Sequence, residues 1–243
     1  MPEGPSIVIL KEHVQAFIGK KVLKVNGNSN QDIQILKNKK IIDFKSWGKH
    51  FLICFDDLTV RIHFMLFGTY RINEAKETPP RLGLIFKTGE LNFYACSVQF
   101  IDDELDELYD WSADVLSDKW NAPKAKKKLK ENPDMLVCDA LLDQQIFSGV
   151  GNIIKNEVLY RIKVHPESTV ENLPVKQLNA LIKEARNYSF DFLVWKKAFV
   201  LKKHWLAHKQ KICKRDGNSI VKKHLGKTNR RTFYCEVCQV KYV

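Results

Sequence analysis

The chain has 243 residues, 44% of them hydrophobic, which is enough for one large core or two modest ones and excludes a disordered polymer. No run approaches the roughly 18 consecutive apolar residues of a membrane span, and Glu3 stands where a secretory leader carries positive charge, so an intracellular protein is expected. The net charge of +12 is unevenly held: residues 1–120 carry 15 Lys/Arg against 17 Asp/Glu, and residues 121–243 carry 25 against 11, which points to a polyanionic partner for the second half.

From Pro5 to about Ile18 the apolar residues Ile7, Leu10, Val14 and Phe17 recur on one face, which predicts an amphipathic helix stopped near Gly19. Short β-rich runs follow at 41–44, 51–55, 58–64, 84–86 and 91–94, separated by turn signals such as Asp56-Asp57 and Thr88-Gly89. Strands at this spacing predict a β-sandwich or barrel in the first half. The acidic stretch 102–110 closes it, and 121–132, with its lysines and Pro123, reads as a linker. Beyond it the periodicity is helical over 135–146, 153–161 and 178–203. Cys54, Cys96 and Cys138 lie in apolar runs and read as reduced core residues; Cys213, Cys235 and Cys238 stand apart.

Three segments carry candidate chemistry. The chain begins Met1-Pro2-Glu3-Gly4-Pro5, and trimming of Met1 turns Pro2 into a secondary amine. Such an amine attacking a sugar C1′ gives an iminium that acts as an electron sink without a cofactor, with Glu3 adjacent to move a proton. In the segment 143–153, two glycines and Asn152 precede a helix whose N-terminus suits a phosphate, although a plain packing corner reads the same way. Residues 206–243 hold 10 basic and 2 acidic residues around Cys235-x-x-Cys238, a metal-ligand spacing.

Pro2-Glu3-Gly4-Pro5, Asp143-Gln144 through Gly149-Val150-Gly151-Asn152, and the C-terminal cysteine finger occur in the order of the formamidopyrimidine-DNA glycosylase and endonuclease VIII family, which the whole chain resembles. The resemblance implies an α+β fold: an N-terminal helix and β-sandwich (1–120), a linker (121–132), a helix-two-turn-helix domain (133–205) and a zinc-held β-hairpin (206–243). It further implies a bifunctional glycosylase and abasic-site lyase, acting on damaged DNA as a monomer and taking β,δ-elimination through a Pro2 Schiff base. The Pro-Glu-Gly-Pro start is more like the endonuclease VIII branch, which favours oxidised pyrimidines.

The resemblance places a catalytic or phosphate-binding lysine at Lys49, and phosphate contacts at His63, Asn152 and Arg230, with Arg231 a neighbouring competitor. His63 is equally readable as a satisfied strand histidine. The apolar loop Met65-Leu66-Phe67-Gly68 resembles the family's wedge, with Leu66 in register; a buried strand end is the alternative. Zinc is implied at Cys213, Cys235 and Cys238, with Asp216 standing where a fourth cysteine is expected and His208 the nearest histidine. Ser6 departs from the glutamate many members carry there. The rival reading is a non-catalytic DNA-damage-binding protein of the same fold, separated from the enzyme by whether Met1 is removed.

Overall fold

Pro5 sits in the first turn of a helix, where its missing N–H is not needed and its fixed φ favours the start, and α1 runs Gly4–His13. The computed structural model describes residues 2–243 and divides them into a unit that ends at Tyr109 and a unit from Asp110 to Val243. α1 buries Ile7 and Leu10 against the strands that follow, and a separate 3-10 turn at Gln15–Phe17 brings Phe17 into the same core. The helix thus ends five residues before the expected Ile18.

The remaining elements of the first unit are β1 (Lys24–Asn26), β2 (Asp43–Trp47), β3 (His50–Cys54), β4 (Thr59–Ile72), β5 (Leu82–Phe86), β6 (Gly89–Ile101) and the short α2 (Leu105–Leu108). All pairings are antiparallel, in the order β1-β5-β6-β4-β3-β2. The long strands β4 and β6 serve both layers of a sandwich. Their first ladder pairs Thr59–Phe64 with Cys96–Ile101 beside β3, and their second pairs Thr69–Ile72 with Leu91–Tyr94 beside β5. Phe51 from one layer lies 5.9 Å from Phe93 of the other, which is how the core closes. α1 packs on β2 and β3, the strands whose connecting turn carries Lys49.

The second unit holds α3 (Ala122–Lys130), α4 (Val137–Ala140), α5 (Asn152–Arg161), α6 (Val175–Lys197) and a hairpin of β7 (Val221–Leu225) and β8 (Arg230–Tyr234). Residues 121–132 are therefore not a linker. Asn121 caps α3, its Oδ1 accepting from the Lys124 N–H at 2.8 Å, and Ala125 and Leu129 are buried. The two units divide at Tyr109 and Asp110 rather than near residue 120. The predicted helix over 135–146 shortens to α4 because polar side chains take over the chain after it. Asp143 accepts from the Gln145 N–H at 2.8 Å, while Gln144 donates to Leu142 and Val150 carbonyls and accepts from the Gly149 N–H. Those bonds build the two turns between α4 and α5. Among the described residues no helix is long and apolar enough to cross a membrane.

Candidate functional site

In the first unit, Pro2 is half-buried immediately before α1, and the neighbouring Glu3, which precedes the helix, is only 2% exposed. Lys49 occupies the tight β2–β3 turn beside Gly48. On the paired strands His50 faces His63 with ring centres 5.3 Å apart, and His50 Nδ1 lies 3.2 Å from the Tyr109 hydroxyl. Burial, followed by the charges of Arg61, His63 and Lys49, pulls His50 down to about 3. Burial and then Lys49 and Arg61 also lower His63. Both imidazoles are neutral near pH 7, so His63 offers a ring N–H and not a cation. Lys49 and Arg61 are the charges they share.

The apolar loop is not a buried strand end. Between the two β4–β6 ladders, Met65-Leu66-Phe67-Gly68 stands opposite the single Ala95, so four residues are looped out against one. Met65, Leu66 and Phe67 are 55%, 53% and 80% exposed. Gly68 is needed to close the loop, because a Cβ there would lie 2.7 Å from Phe64 Cβ and 2.8 Å from the Ala95 carbonyl oxygen.

In the second unit, Asn152 does not cap α5. It is the first helical residue, after Gly151, and its Nδ2 donates to the Arg231 carbonyl at 2.8 Å while its Oδ1 is buried with no hydrogen-bond partner. Two further side chains of α5 hold the same strand. The buried Lys155 donates to Thr232 Oγ1 at 2.8 Å, and Asn156 accepts from the Phe233 N–H at 3.4 Å. Arg230 opens β8 at the end of the hairpin turn and is exposed. The other end of that turn is seated on α4: Asp139 accepts from the Lys227 N–H at 3.0 Å, and a Cβ at Gly226 would lie 2.3 Å from Asp139 Oδ1. Asn152 and Arg230 are thereby brought to one place.

Sequence reasoning singled out none of Lys155, Asn156 and Glu157, yet all three are buried. Glu157 accepts from the backbone N–H groups of Leu206, Ala207 and His208 at 2.7–3.0 Å, so it holds the segment leading into the cysteine finger. Burial pushes its carboxyl up against the opposing pull of those three bonds. Nothing local in the sequence marks these residues, because their partners lie about fifty to eighty positions away.

The candidate metal centre comprises Cys213, Asp216, Cys235 and Cys238, whose donor atoms all lie within 4.8 Å of one another. Cys213 Sγ is 3.6 Å from Cys238 Sγ, and Cys235 Sγ is 3.2 Å from Asp216 Oδ2. A tetrahedral ion with metal–sulfur bonds of about 2.3 Å spaces its sulfurs by roughly 3.8 Å, so the group fits such an ion with little movement. The Asn218 N–H, followed by burial opposing it and the cysteine thiols, sets the Asp216 carboxyl at about 2, leaving it an anionic donor. His208 is elsewhere: it is buried against Trp205 and Phe233, with its Nδ1 3.1 Å from Asn156 Nδ2. Asp216, not His208, completes the group.

A sandwich led by a helix, a two-turn corner between helices and a cysteine-bearing hairpin together define a formamidopyrimidine-DNA glycosylase fold. A family model for the N-terminal domain of formamidopyrimidine-DNA glycosylase matches residues 1–102, and one for its H2TH domain matches residues 112–188. The chain belongs to the formamidopyrimidine-DNA glycosylase and endonuclease VIII family. Endonuclease 8-like 3 of Xenopus laevis is 30% identical over 231 residues, 90% of this chain and 38% of that protein. The chain thus spans well under half the length of such relatives. Endonuclease 8-like 2 of Bos taurus is 27% identical across 98% of this chain and 96% of that protein. In fold, a Lactococcus lactis formamidopyrimidine-DNA glycosylase bound to abasic-site DNA superposes with a TM-score of 0.87 at 20% identity, covering 98% of this chain and 100% of that one.

Proposed function

We propose that this protein is a bifunctional DNA glycosylase and abasic-site lyase whose nucleophile is the Pro2 amine. The supporting observation is the pairing of Pro2 with a buried carboxyl, Glu3, at the start of a helix that packs on the strands bearing Lys49. With Met1 removed, the Pro2 nitrogen attacks C1′ and displaces the damaged base. Glu3 delivers a proton to the ring oxygen, the C1′–O4′ bond opens, and the amine nitrogen becomes an iminium. Loss of the C2′ proton then expels the 3′ phosphate, and a second elimination expels the 5′ phosphate. Lys49, Asn152 and Arg230 are assigned to those phosphates, Arg230 because its planar fork takes two phosphate oxygens. His63 is assigned a neutral ring N–H contact.

Leu66, flanked by Met65 and Phe67, is assigned the gap left when the damaged nucleotide leaves the stack. The substrate class assigned is oxidised pyrimidines, on the likeness of the Pro2-Glu3-Gly4-Pro5 start to the endonuclease VIII branch. Zinc is the ion proposed for Cys213, Asp216, Cys235 and Cys238, because three thiolates favour a soft, tetrahedral ion. Its role is structural, holding the segments on either side of the hairpin that bears Arg230.

Borohydride reduction on abasic-site DNA tests the reading. The expected product is a covalent complex whose peptide mass places the link at Pro2, lost when an N-terminal extension blocks the amine. A link to an internal lysine with Pro2 free overturns it.

A further inference from the structure

Away from α5 and the hairpin, α3 and α6 enclose a groove of about 530 Å³. Its floor is apolar, formed by Trp120, Pro123 and Ile182, with Trp120 stacked on Phe147 at 5.9 Å. Its rim is basic. Lys126 reaches from α3 to Asn179 Oδ1 of α6 at 2.8 Å, and Lys183 stands exposed on the opposite side. α3 carries five lysines and no acid; Asp110 pairs with Lys124 and Lys128, and Glu131 pairs with Lys127 at 3.9 Å.

The groove continues as a stripe along α6. Lys183, Asn187, Phe190 and Val194 recur at three- and four-residue steps, so they share one face of the helix. Phe190 and Val194 are 40% and 62% exposed, apolar surface that a long helix keeps in water only at a cost. Of the two acids of α6, Glu184 is turned to Arg161, while the exposed Asp191, four residues after Asn187 and three before Val194, borders the stripe away from the Lys183 end. Arg186 is not available to a phosphate, because its guanidinium donates to the Val115 and Ser117 carbonyls and lies over the Phe190 ring at 5.2 Å.

We infer that the α3–α6 face docks an acidic amphipathic segment of a partner protein, which lays apolar side chains on Trp120, Ile182, Phe190 and Val194 and its carboxylates against Lys126 and Lys183. An apolar floor with a basic rim suits a helix-in-groove partner, whereas a nucleic acid calls for cations along the floor to track its phosphates. Opposite charge on the two sides steers the encounter and excludes basic segments.

The test pans the full chain against a phage library of random 12-residue peptides in the presence of excess duplex DNA. The expected winners are rich in Asp and Glu and carry apolar residues at three- and four-residue spacing. A synthetic winner then binds in a fluorescence-anisotropy titration, and Lys183→Glu or Val194→Glu weakens it on the order of tenfold or more, while the melting temperature of each variant stays at the wild-type value. Winners without acidic enrichment, or equal binding to both variants, overturn the inference. Displacement of the peptide by a single-stranded thymidine oligonucleotide also overturns it, in favour of a nucleic-acid site.

Discussion

Asn152 at the start of α5 donates from Nδ2 to the Arg231 carbonyl at 2.8 Å, so the helix corner and the hairpin tip are held as one piece beside Arg230. If Arg230 grips phosphate, Arg230→Ala weakens DNA binding about uniformly across sequences and lowers the slope of log affinity against log salt by roughly one. Titrations at four or more salt concentrations measure both. Asn152→Ala is expected to weaken binding as well, by loosening the hairpin.

The metal group gives a second expectation. Purified protein is expected to hold one zinc per chain by elemental analysis. Asp216→Ala lowers the retained metal and the melting temperature, Asp216→Cys retains it, and His208→Ala leaves metal content unchanged, because His208 is bonded to Asn156 and lies outside the group. Metal loss with His208→Ala but not with Asp216→Ala would falsify the assignment.

If Leu66 fills the gap left by a displaced nucleotide, two activities should separate in variants of the looped-out Met65–Gly68. Leu66→Ala and Phe67→Ala remove exposed side chains, so stability is expected to stay within about 0.5 kcal/mol of wild type. Base release from duplex DNA should fall by about tenfold or more, since unstacking costs about 2 kcal/mol or more that the wedge no longer offsets. Cleavage at a preformed abasic site should fall less. Parallel assays on the two substrates decide this.

Stability should depend on pH through His50 and His208. Burial, then nearby cations, lowers His50 to about 3, and burial, then Lys209 and Lys155, lowers His208 to about 4. The unfolded chain binds these protons near pH 6.5 and the native protein does not, so stability is full above pH 6.5 and falls as pH drops toward 3–4. Urea denaturation at pH 7 and near pH 4 reads the loss. His50→Gln, keeping a polar side chain near the Tyr109 hydroxyl, is expected to flatten the curve; an unchanged slope would rule His50 out.

Glu157→Ala should be among the most destabilising single changes in the second unit. It strands the N–H groups of Leu206, Ala207 and His208, and each buried donor left unmade costs about 1–3 kcal/mol. Differential scanning calorimetry against Glu184→Ala, whose ion pair with Arg161 is long at 3.9 Å, gives the comparison.

The helices and strands were legible where their signal is local. Ile7 and Leu10 mark α1 by periodicity, the runs 51–55 and 58–64 mark β3 and β4 by β-branched and aromatic content, and Cys235-x-x-Cys238 marks a metal site by spacing. Pro2, Glu3 and the Gly149-to-Asn152 segment were legible as order along the chain. What the tertiary structure alone decided depends on partners distant in sequence. The segment 121–132 was mistaken for a linker because lysine content hides a helix whose apolar side, Ala125 and Leu129, becomes visible only when it is packed. Register favoured Asp216 over His208 beside Cys213, but only the fold separates them: a turn, with the Gly217 N–H on the Cys213 carbonyl, brings Asp216 in, and Asn156 holds His208. Met65–Phe67 were ambiguous because an apolar run reads as core in any one strand. Only the register between β4 and β6, with four residues against one, turns those side chains out to solvent.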